Sequence, residues 1–256
     1  MVINLFRRSY IIFICHIYIS ILNGQRVIGY YPQWVQGSFT PDKIDYSVIT
    51  HVIHSFAWPD EEGNVLHYNN MLSQSVNNTV HDNGAKILLC FGGWGQSWGF
   101  SASTSTPELR EIFIDNIISI CETYNYDGVD IDWEQPSNAT EKNNLTSFIA
   151  ELREAFDDLY PDWIISMAVP VSNWSGQYYD FNQLKESVDF FNAMTYDIHG
   201  TWSSHAGHNS PLYQSPPVDP DGSVNTGINY LVNTRGIESI KINVGIPFYG
   251  KEYNTS

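Results

Sequence analysis

Seven short apolar runs divide the chain, and each is rich in β-branched and aromatic residues. Longer amphipathic stretches separate several of them. Nearly continuous apolar strands indicate a sheet that is buried on both faces, and such sheets are parallel. A strand followed by a helix, repeated along the chain, predicts the α/β class. The runs are residues 26–31, 49–58, 86–91, 128–133, 163–169, 190–195 and 241–246.

Helical periodicity fills several of the gaps between the runs. Thr106 and Pro107 form a cap followed by proline at the first helical position, and an apolar stripe follows to Tyr124. A second stripe lies within residues 141–160, and a third near residues 228–232 stops before Gly236. Residues 211–222, rich in Pro, Ser and Asp, predict a long loop after the sixth run.

The number of runs limits the choice of fold. A (β/α)8 TIM-type barrel closes with eight strands and typically needs about 250 residues. The seventh run ends ten residues before Ser256, so we predict this barrel with its eighth strand missing. A partial sequence accounts for the shortfall, and a natural seven-stranded protein is the alternative. An open doubly wound sheet fits poorly because no glycine-rich phosphate loop follows the first run.

The amino terminus has the pattern of a secretory signal. Arg7 and Arg8 precede an apolar stretch over residues 10–22, and polar residues follow it. The stretch is shorter than the ~20 residues that span a bilayer, although an uncleaved anchor is the alternative. We therefore expect a signal peptide over residues 1–24, one domain over residues 25–256, a secreted chain, and no membrane association after cleavage.

Charge and small motifs agree with an extracellular protein. The formal net charge of −16 argues against nucleic acid as a partner, because that binding depends on Lys and Arg neutralising phosphates. Cys90 and Cys121 are too few for a disulfide framework, so we expect two free thiols. Five sequons suit a glycoprotein: Asn77, Asn138, Asn144, Asn173 and Asn254.

The fourth run is acidic, which is unusual for a buried strand. Alternate side chains of a strand share a face, so Asp130, Asp132 and Glu134 point one way. In a barrel this face points inward, and the carboxyl ends of the strands open onto the active site. Neighbouring like charges resist joint ionisation, so one acid keeps its proton to higher pH. Glu134, the outermost acid, is the natural proton donor to a leaving group.

Other uses of these acids remain open on residue chemistry alone. Hard cations also choose carboxylate clusters, although no other strand end supplies a clear set of partner ligands. A purely structural role for all three acids is the second alternative. Our prediction contains no metal and no cofactor.

Several motifs together resemble one enzyme family. The segment from Asp127 to Glu134 reads Asp-Gly-Val-Asp-Ile-Asp-Trp-Glu and resembles the signature of glycoside hydrolase family 18, the chitinases and their relatives. Residues 27–31, 90–94, 194–197 and 245–250 resemble the first, third, sixth and seventh strand motifs of that family. The resemblance implies a catalytic barrel over essentially all of residues 25–256.

The resemblance also implies a mechanism. The family hydrolyses β-1,4 bonds next to N-acetylglucosamine with retention, and the 2-acetamido oxygen of the substrate is the nucleophile. Glu134 would be the general acid and base, Asp132 would hold the acetamido group, and Asp130 would share a proton or hydrogen bond with Asp132. Tyr196 and Asp197 match family residues that contact the acetamido group and the distorted sugar.

Substrate contacts are expected from residues at or just past the strand ends. Aromatic faces there can stack on the apolar surface of sugar rings, although isolated aromatic residues are more often part of a core. Met194 would help to wall the pocket, and a glycine allows close approach of a ligand. The expected substrate-binding residues are Tyr30, Phe56, Gly93, Trp94, Met194, Trp202 and Tyr249. The expected partner is chitin or a chito-oligosaccharide, bound by a monomer.

Two departures from the family keep other functions open. Cys90 stands where the family usually has a serine that partners the residue matching Asp130, and a thiol is the weaker donor. The family's eighth strand ends in a tryptophan that floors the pocket, and no such strand is found here. A lectin-like chitin binder with little or no catalysis is one alternative. An endo-β-N-acetylglucosaminidase acting on glycoprotein glycans is another.

Overall fold

A single sheet of eight strands organises the molecule. The computed structural model describes residues 25–217 and 219–253, so the predicted signal peptide and the sequon at Asn254 lie outside the described residues. The strands are β1 (Ile28–Pro32), β2 (His51–Pro59), β3 (Val65–His67), β4 (Lys86–Gly92), β5 (Gly128–Asp132), β6 (Ile164–Val169), β7 (Phe190–Ala193) and β8 (Ile242–Val244).

Seven of these strands form the parallel wall of a barrel. Their order in the sheet is β1-β2-β4-β5-β6-β7-β8, and β3 is a short antiparallel addition to β2. Each parallel strand pairs with the next one along the chain, whereas a doubly wound sheet reverses its strand order. The seven predicted runs and the TIM-type fold are therefore confirmed. The described residues contain no eighth barrel strand between β8 and β1.

The two edge strands approach each other although they do not pair. The Nε atom of Arg26 donates to Oδ1 of Asn243 on β8 at 3.3 Å, and its guanidinium also donates to the carbonyl of Ile240. The guanidinium lies 4.8 Å from the ring centroid of Phe190 on β7. One side chain thus spans the opening at the amino-terminal end of the wall.

The helices cover the outer face of this wall. They are α1 (Gln74–Asp82), α2 (Phe100–Ser103), α3 (Pro107–Tyr124), α4 (Ala139–Leu159), α5 (Asn173–Gly176), α6 (Phe181–Ser187) and α7 (Val224–Asn229), which continues into a π-helical turn at Tyr230–Thr234. The Thr106 side chain caps α3 by accepting from the amide of Leu109, as the sequence predicted, and Asn138 caps α4 in the same manner.

The sheet separates two apolar regions. The larger core joins the outward faces of the strands to the helices and contains Val129, Ile131 and Trp133 of the acidic segment. A smaller cluster of Ile53, Leu88, Cys90 and Phe190 fills the barrel interior. The alternation predicted for β5 is therefore confirmed, and its acids are left to the inner face.

Burial decides some of the smaller predictions. The side chain of Asn77 is fully buried and donates to the carbonyl of Tyr124 at 2.9 Å, so the folded chain has no room for a glycan at this sequon. Cys90 and Cys121 are buried free thiols, as predicted. Among the described residues, no helix has both the length and the apolar character needed to cross a bilayer.

Gly128 tests how tightly the start of β5 is fitted. Its φ of +133° disfavours any side chain, and an added Cβ would lie 2.1 Å from the carbonyl oxygen of Ile164. We expect Gly128→Ala to lower the free energy of unfolding by about 3 kcal/mol or more, measured by denaturant titration. The control is Gly37→Ala, because an added Cβ there meets no described atom within 4 Å. Equal stability of the two variants would contradict this account.

Candidate active site

Two glycines let β4 press against the acidic end of β5. The amide of Gly93 donates to the carbonyl of Asp132 at 2.8 Å. A Cβ on Gly92 would lie 2.1 Å from that same carbonyl oxygen, and one on Gly93 would lie 2.7 Å from the Phe56 ring. Both glycines also have positive φ values. Backbone packing therefore accounts for Gly93, which the sequence predicted as a substrate contact.

Two hydroxyl groups fix the backbone that carries the acids. The amide of Glu134 donates to Oγ of Ser97 at 2.9 Å, and that hydroxyl lies 3.2 Å from the carbonyls of Gly93 and Asp132. On the helical side, the hydroxyl of Tyr179 donates to the carbonyl of Trp133 at 2.8 Å. Ser97 and Tyr179 were not predicted, because neither lies in a motif or on a strand.

Asp130 is the most fully bonded acid in the barrel. Its Oδ2 accepts from the Tyr30 hydroxyl at 3.0 Å and from the Cys90 thiol at 3.3 Å. Its Oδ1 accepts from Oγ of Ser166 at 2.6 Å and from Nδ2 of Asn192 at 3.0 Å. The prediction that Cys90 faces Asp130 is confirmed.

The partners of Asp130 bear on two expectations. The Tyr30 hydroxyl donates to Asp130, and because the residue is 40% exposed, its contact with sugar stays a prediction. A hydrogen bond between Asp130 and Asp132 was implied, but the four bonds described for Asp130 go elsewhere. Ser166 and Asn192 were missed. They occupy inward positions of β6 and β7, so strand alternation would have found them.

Asp132 is buried with few hydrogen bonds to offset the cost of its burial. Its side chain is 6% exposed, and its Oδ1 has no hydrogen-bond partner among the described residues. Burial, followed by the charges of Glu134 and Asp130, raises the pKa of Asp132 well above its ordinary value. Asp130 differs, because its four hydrogen bonds oppose the effect of burial, although burial still raises its pKa.

Glu134 lies just past β5, where the barrel interior meets solvent. It is half-buried, and burial together with the charge of Asp197 raises its pKa. Asp197 has a left-handed φ of +56° and is held by the Tyr249 hydroxyl at 2.9 Å and by Nζ of Lys251 at 2.6 Å. An acid whose pKa is raised keeps its proton to higher pH than an ordinary carboxyl group, which suits it to donate that proton.

The remaining predicted residues differ in how far they are exposed to solvent. The Tyr196 ring meets the Tyr249 ring edge-on, with centroids 6.3 Å apart, and burial raises the pKa of both phenols. Met194 is half-buried. Trp94 and Trp202 are 85% and 65% exposed.

Trp34 and Lys251 contact predicted aromatic residues but were not themselves predicted. Trp34 stacks on Phe56 with ring centroids 6.2 Å apart and is itself exposed. Lys251 places Nζ 4.4 Å from the centre of the Trp202 ring. Isolated tryptophans carry no sequence signal that separates an exposed position from a core position.

The hydrogen-bond pattern bears on the metal alternative for the acids of β5. Asp130 is surrounded by donors, and donors recognise a carboxylate by giving protons to the lone pairs that a cation would need. This donor set therefore suits an isolated anion, and it does not suit a metal shared between Asp130 and its neighbours.

Sequence comparison now places the chain in a family. The model of the glycosyl hydrolases family 18 matches residues 26–256. The chain belongs to this family. The family resemblance of the strand motifs is thereby confirmed.

Named relatives and solved structures agree with this placement. The chain is 34% identical over 252 residues to the Drosophila melanogaster protein named probable chitinase 10, covering 89% of this chain and 11% of that protein. It is 31% identical to the probable endochitinase of Caenorhabditis elegans, covering 87% of this chain and 40% of that protein.

Two solved structures share the fold closely. The group IV chitinase of Ostrinia furnacalis in complex with allosamidin gives a TM-score of 0.80 at 29% identity, covering 88% of this chain and 66% of that one. Human YKL-39, described as a pseudo-chitinase with retained chitooligosaccharide binding properties, gives 0.79 at 30% identity, with coverages of 88% and 66%. The chain thus spans only part of each relative.

The difference between the two inner aspartates is testable by stability. The pKa of Asp132 is about 4 in the unfolded chain and is raised in the folded chain. The wild-type chain therefore loses stability as the pH rises from about 4 through the folded-state pKa. We expect Asp132→Asn to be more stable than wild type by at least about 1 kcal/mol at pH 7. This advantage should vanish below about pH 4, where both states are protonated. Denaturant titrations at several pH values measure it.

The matched control is Asp130→Asn. Whichever way the amide is turned, its NH2 group faces donors that now bond a carboxylate oxygen. We expect this variant to lose about 2 kcal/mol at pH 7, since hydrogen bonds to charged groups are among the stronger ones. Stability changes of the same sign in the two variants would contradict the assignment.

Proposed function

We propose that the chain hydrolyses β-1,4-N-acetylglucosamine linkages in chitin or chito-oligosaccharides, with retention and with assistance from the substrate's 2-acetamido group. Glu134 carries the proposal. It is the outermost acid of β5, it is half-buried, and its pKa is raised by burial and by Asp197. The names of the relatives, probable chitinase 10 and a probable endochitinase, support the choice of substrate.

In the proposed first step, the carboxyl group of Glu134 gives its proton to the glycosidic oxygen as the bond to the anomeric carbon breaks. The acetamido oxygen attacks that carbon from the opposite side and forms a cyclic oxazolinium ion. Asp132 stabilises the positive charge. Its buried and incompletely bonded carboxylate suits this role, because a cation would relieve the cost of its ionisation.

In the second step, Glu134 is a carboxylate and takes a proton from water. The water oxygen attacks the anomeric carbon from the side that the leaving group left, and the bond between that carbon and the acetamido oxygen breaks. The acetamido group is restored, and the configuration is retained. Tyr196 and Asp197 stand beside this path as proposed contacts of the acetamido group and the sugar. Their ring and carboxylate converge on Tyr249.

A carbohydrate-binding protein with little or no catalysis is the second candidate. The similarity to human YKL-39, described as a pseudo-chitinase, favours it. The Cys90 thiol as one donor to Asp130 points the same way, because a thiol donates weakly. The presence of Glu134 favours the enzyme.

We further propose that residues 1–24 are a cleaved signal peptide and that the remaining chain is secreted as a monomeric glycoprotein. Arg7, Arg8 and the apolar stretch after them support secretion. Expression in insect cells, followed by amino-terminal sequencing and light scattering of the secreted product, tests cleavage and oligomeric state.

Glu134→Gln is the test of the catalytic assignment. Loss of the general acid should lower the turnover of a fluorogenic chito-oligosaccharide by at least about 10²-fold, while calorimetry shows unchanged oligosaccharide affinity. The control is Glu111→Gln on the exposed face of α3, which should keep the wild-type rate. A Glu134→Gln enzyme with most of its rate would refute the assignment. Binding without hydrolysis in the wild-type chain would favour the second candidate.

Asp197→Asn tests the electrostatic part of the mechanism. The charge of Asp197 raises the pKa of Glu134, so removing it should lower that pKa. The protonated acid then survives over a narrower range, and the alkaline limb of the kcat/KM profile should move to lower pH. Asp162→Asn, at an exposed position before β6, should leave the limb in place. A limb that moves upward or stays fixed in Asp197→Asn would show that Asp197 does not set this pKa.

A further inference from the structure

A cluster of four potential metal ligands lies in the loop between β7 and α7, outside the proposed catalytic acids. Its members are His199, His205, Asp219 and Asp221, and one ligand atom from each lies within 4.8 Å of all the others. The side chains of His199 and Asp219 are 1% and 0% exposed, whereas those of His205 and Asp221 are 34% and 27% exposed. The cluster therefore has a buried floor and an open side through which an ion can enter.

The contacts of the two ring nitrogens of His199 are the first argument for a cation. Its Nδ1 lies 2.8 Å from the carbonyl oxygen of His208, which can only accept, so Nδ1 carries a proton. In the neutral ring, Nε2 then presents a lone pair, and it faces Oδ2 of Asp219 at 3.0 Å. Two lone pairs at that distance repel each other unless a proton or a metal ion lies between them.

The second histidine, His205, also faces Oδ2 of Asp219. Nε2 of His205 lies 3.3 Å from Oδ2 of Asp219, and Oδ2 of Asp221 lies 3.8 Å from Nε2 of His199. For bonds of 2.0–2.1 Å to a tetrahedral Zn²⁺, neighbouring ligand atoms stand about 3.3–3.4 Å apart. These three separations fall on both sides of this value, and the remaining pairs lie within 4.8 Å, so the side chains would move inward to complete the tetrahedron.

The surroundings hold these ligands in the required orientation. The amide of Asp221 donates to Oδ1 of Asp219 at 2.9 Å, which leaves Oδ2 turned towards the two imidazoles. The carbonyl of His208 fixes the His199 ring through Nδ1, which is the usual outer contact of a metal-binding histidine. Gly207 lies flat against this ring, since an added Cβ would approach it to 2.2 Å.

The donor set also selects the metal. Two imidazole nitrogens and two carboxylate oxygens in a four-coordinate arrangement suit Zn²⁺, whereas Ca²⁺ and Mg²⁺ prefer six or more oxygen ligands. We propose that His199, His205, Asp219 and Asp221 form a structural Zn²⁺ site that closes the loop between β7 and α7. All four ligands come from residues 199–221, so one ion would link the beginning and the end of the loop between β7 and α7.

The position of the loop gives the site a role beyond local stability. His199 is two residues from Asp197, and Trp202 lies between the two histidines. Asn209 of the same loop accepts from the amide of Asp197 at 3.1 Å and donates to the carbonyl of Tyr249 at 3.2 Å. The ion would therefore fix the segment that positions Asp197 and Tyr249 beside Glu134.

Zinc binding by the chelator-treated chain tests the proposal without reference to catalysis. Calorimetric titration with Zn²⁺ should show one equivalent bound per chain, with a rise in melting temperature. Replacement of one ligand, as His205→Gln or Asp221→Asn, should weaken binding by at least about 10–100-fold. The matched control is His208→Gln, because the exposed His208 ring lies on the same loop and only its backbone carbonyl contacts the cluster. Its affinity should equal that of wild type.

Cobalt substitution provides a second measurement. Co²⁺ in a tetrahedral site gives strong visible absorption, which should be present in wild type and His208→Gln and lost in Asp221→Asn. The proposal is overturned if the folded wild-type chain binds no zinc stoichiometrically, in which case the cluster is a buried imidazolium–carboxylate pair. It is also overturned if His205→Gln and Asp221→Asn bind zinc as tightly as wild type. Asp221 is partly exposed, so its variant keeps the test open should His205→Gln fail to fold.

Discussion

The carboxylate of Asp130 connects most of the barrel wall. Tyr30 on β1, Cys90 on β4, Ser166 on β6 and Asn192 on β7 all donate to it from different strands. The amide oxygen of Asn192 accepts in turn from Asn243 on β8 at 3.0 Å, and Asn243 accepts from Arg26. A buried charge is costly unless every lone pair is occupied, so these strands must keep their register to keep it occupied.

Asp132 and Glu134 depend on the hydrogen bonds made to Asp130, although neither of them takes part in those bonds. They project from the same face of β5, and their positions are set by strands that Asp130 ties together. Their own ionisation is disfavoured by burial and by neighbouring negative charge. The barrel thus holds one fully hydrogen-bonded acid at its centre and two acids nearer to solvent whose pKa values are raised. A positively charged ligand would favour ionisation of Asp132 and Glu134, and a ligand that accepts a proton could take one from them.

Much of this was accessible from the sequence, and the limits have physical reasons. Near-continuous apolar runs gave the seven parallel strands, and period-two alternation placed the acids inside the barrel, because both signals are local. β3 was missed because three residues that add to an edge carry no such pattern. Ser166 and Asn192 occupy inward positions that alternation predicts, but their bonds to Asp130 depend on contacts between different strands. Ser97 was missed because it lies in a loop with no regular pattern. The bond from the Tyr30 hydroxyl to Asp130 was missed as well, because it joins two strands that are distant in the sequence.

The proposed zinc site could not be predicted from the sequence either, since its four ligands are spread without regular spacing over residues 199–221. The hydroxyl of Ser97 has a different kind of consequence. It accepts from the amide of Glu134 and stands against the carbonyls of Gly93 and Asp132, so the direction of the outermost acid is set by a loop that carries no acid itself. A substitution in the loop that carries Ser97 can therefore change the orientation of Glu134 while the acidic segment itself stays unchanged.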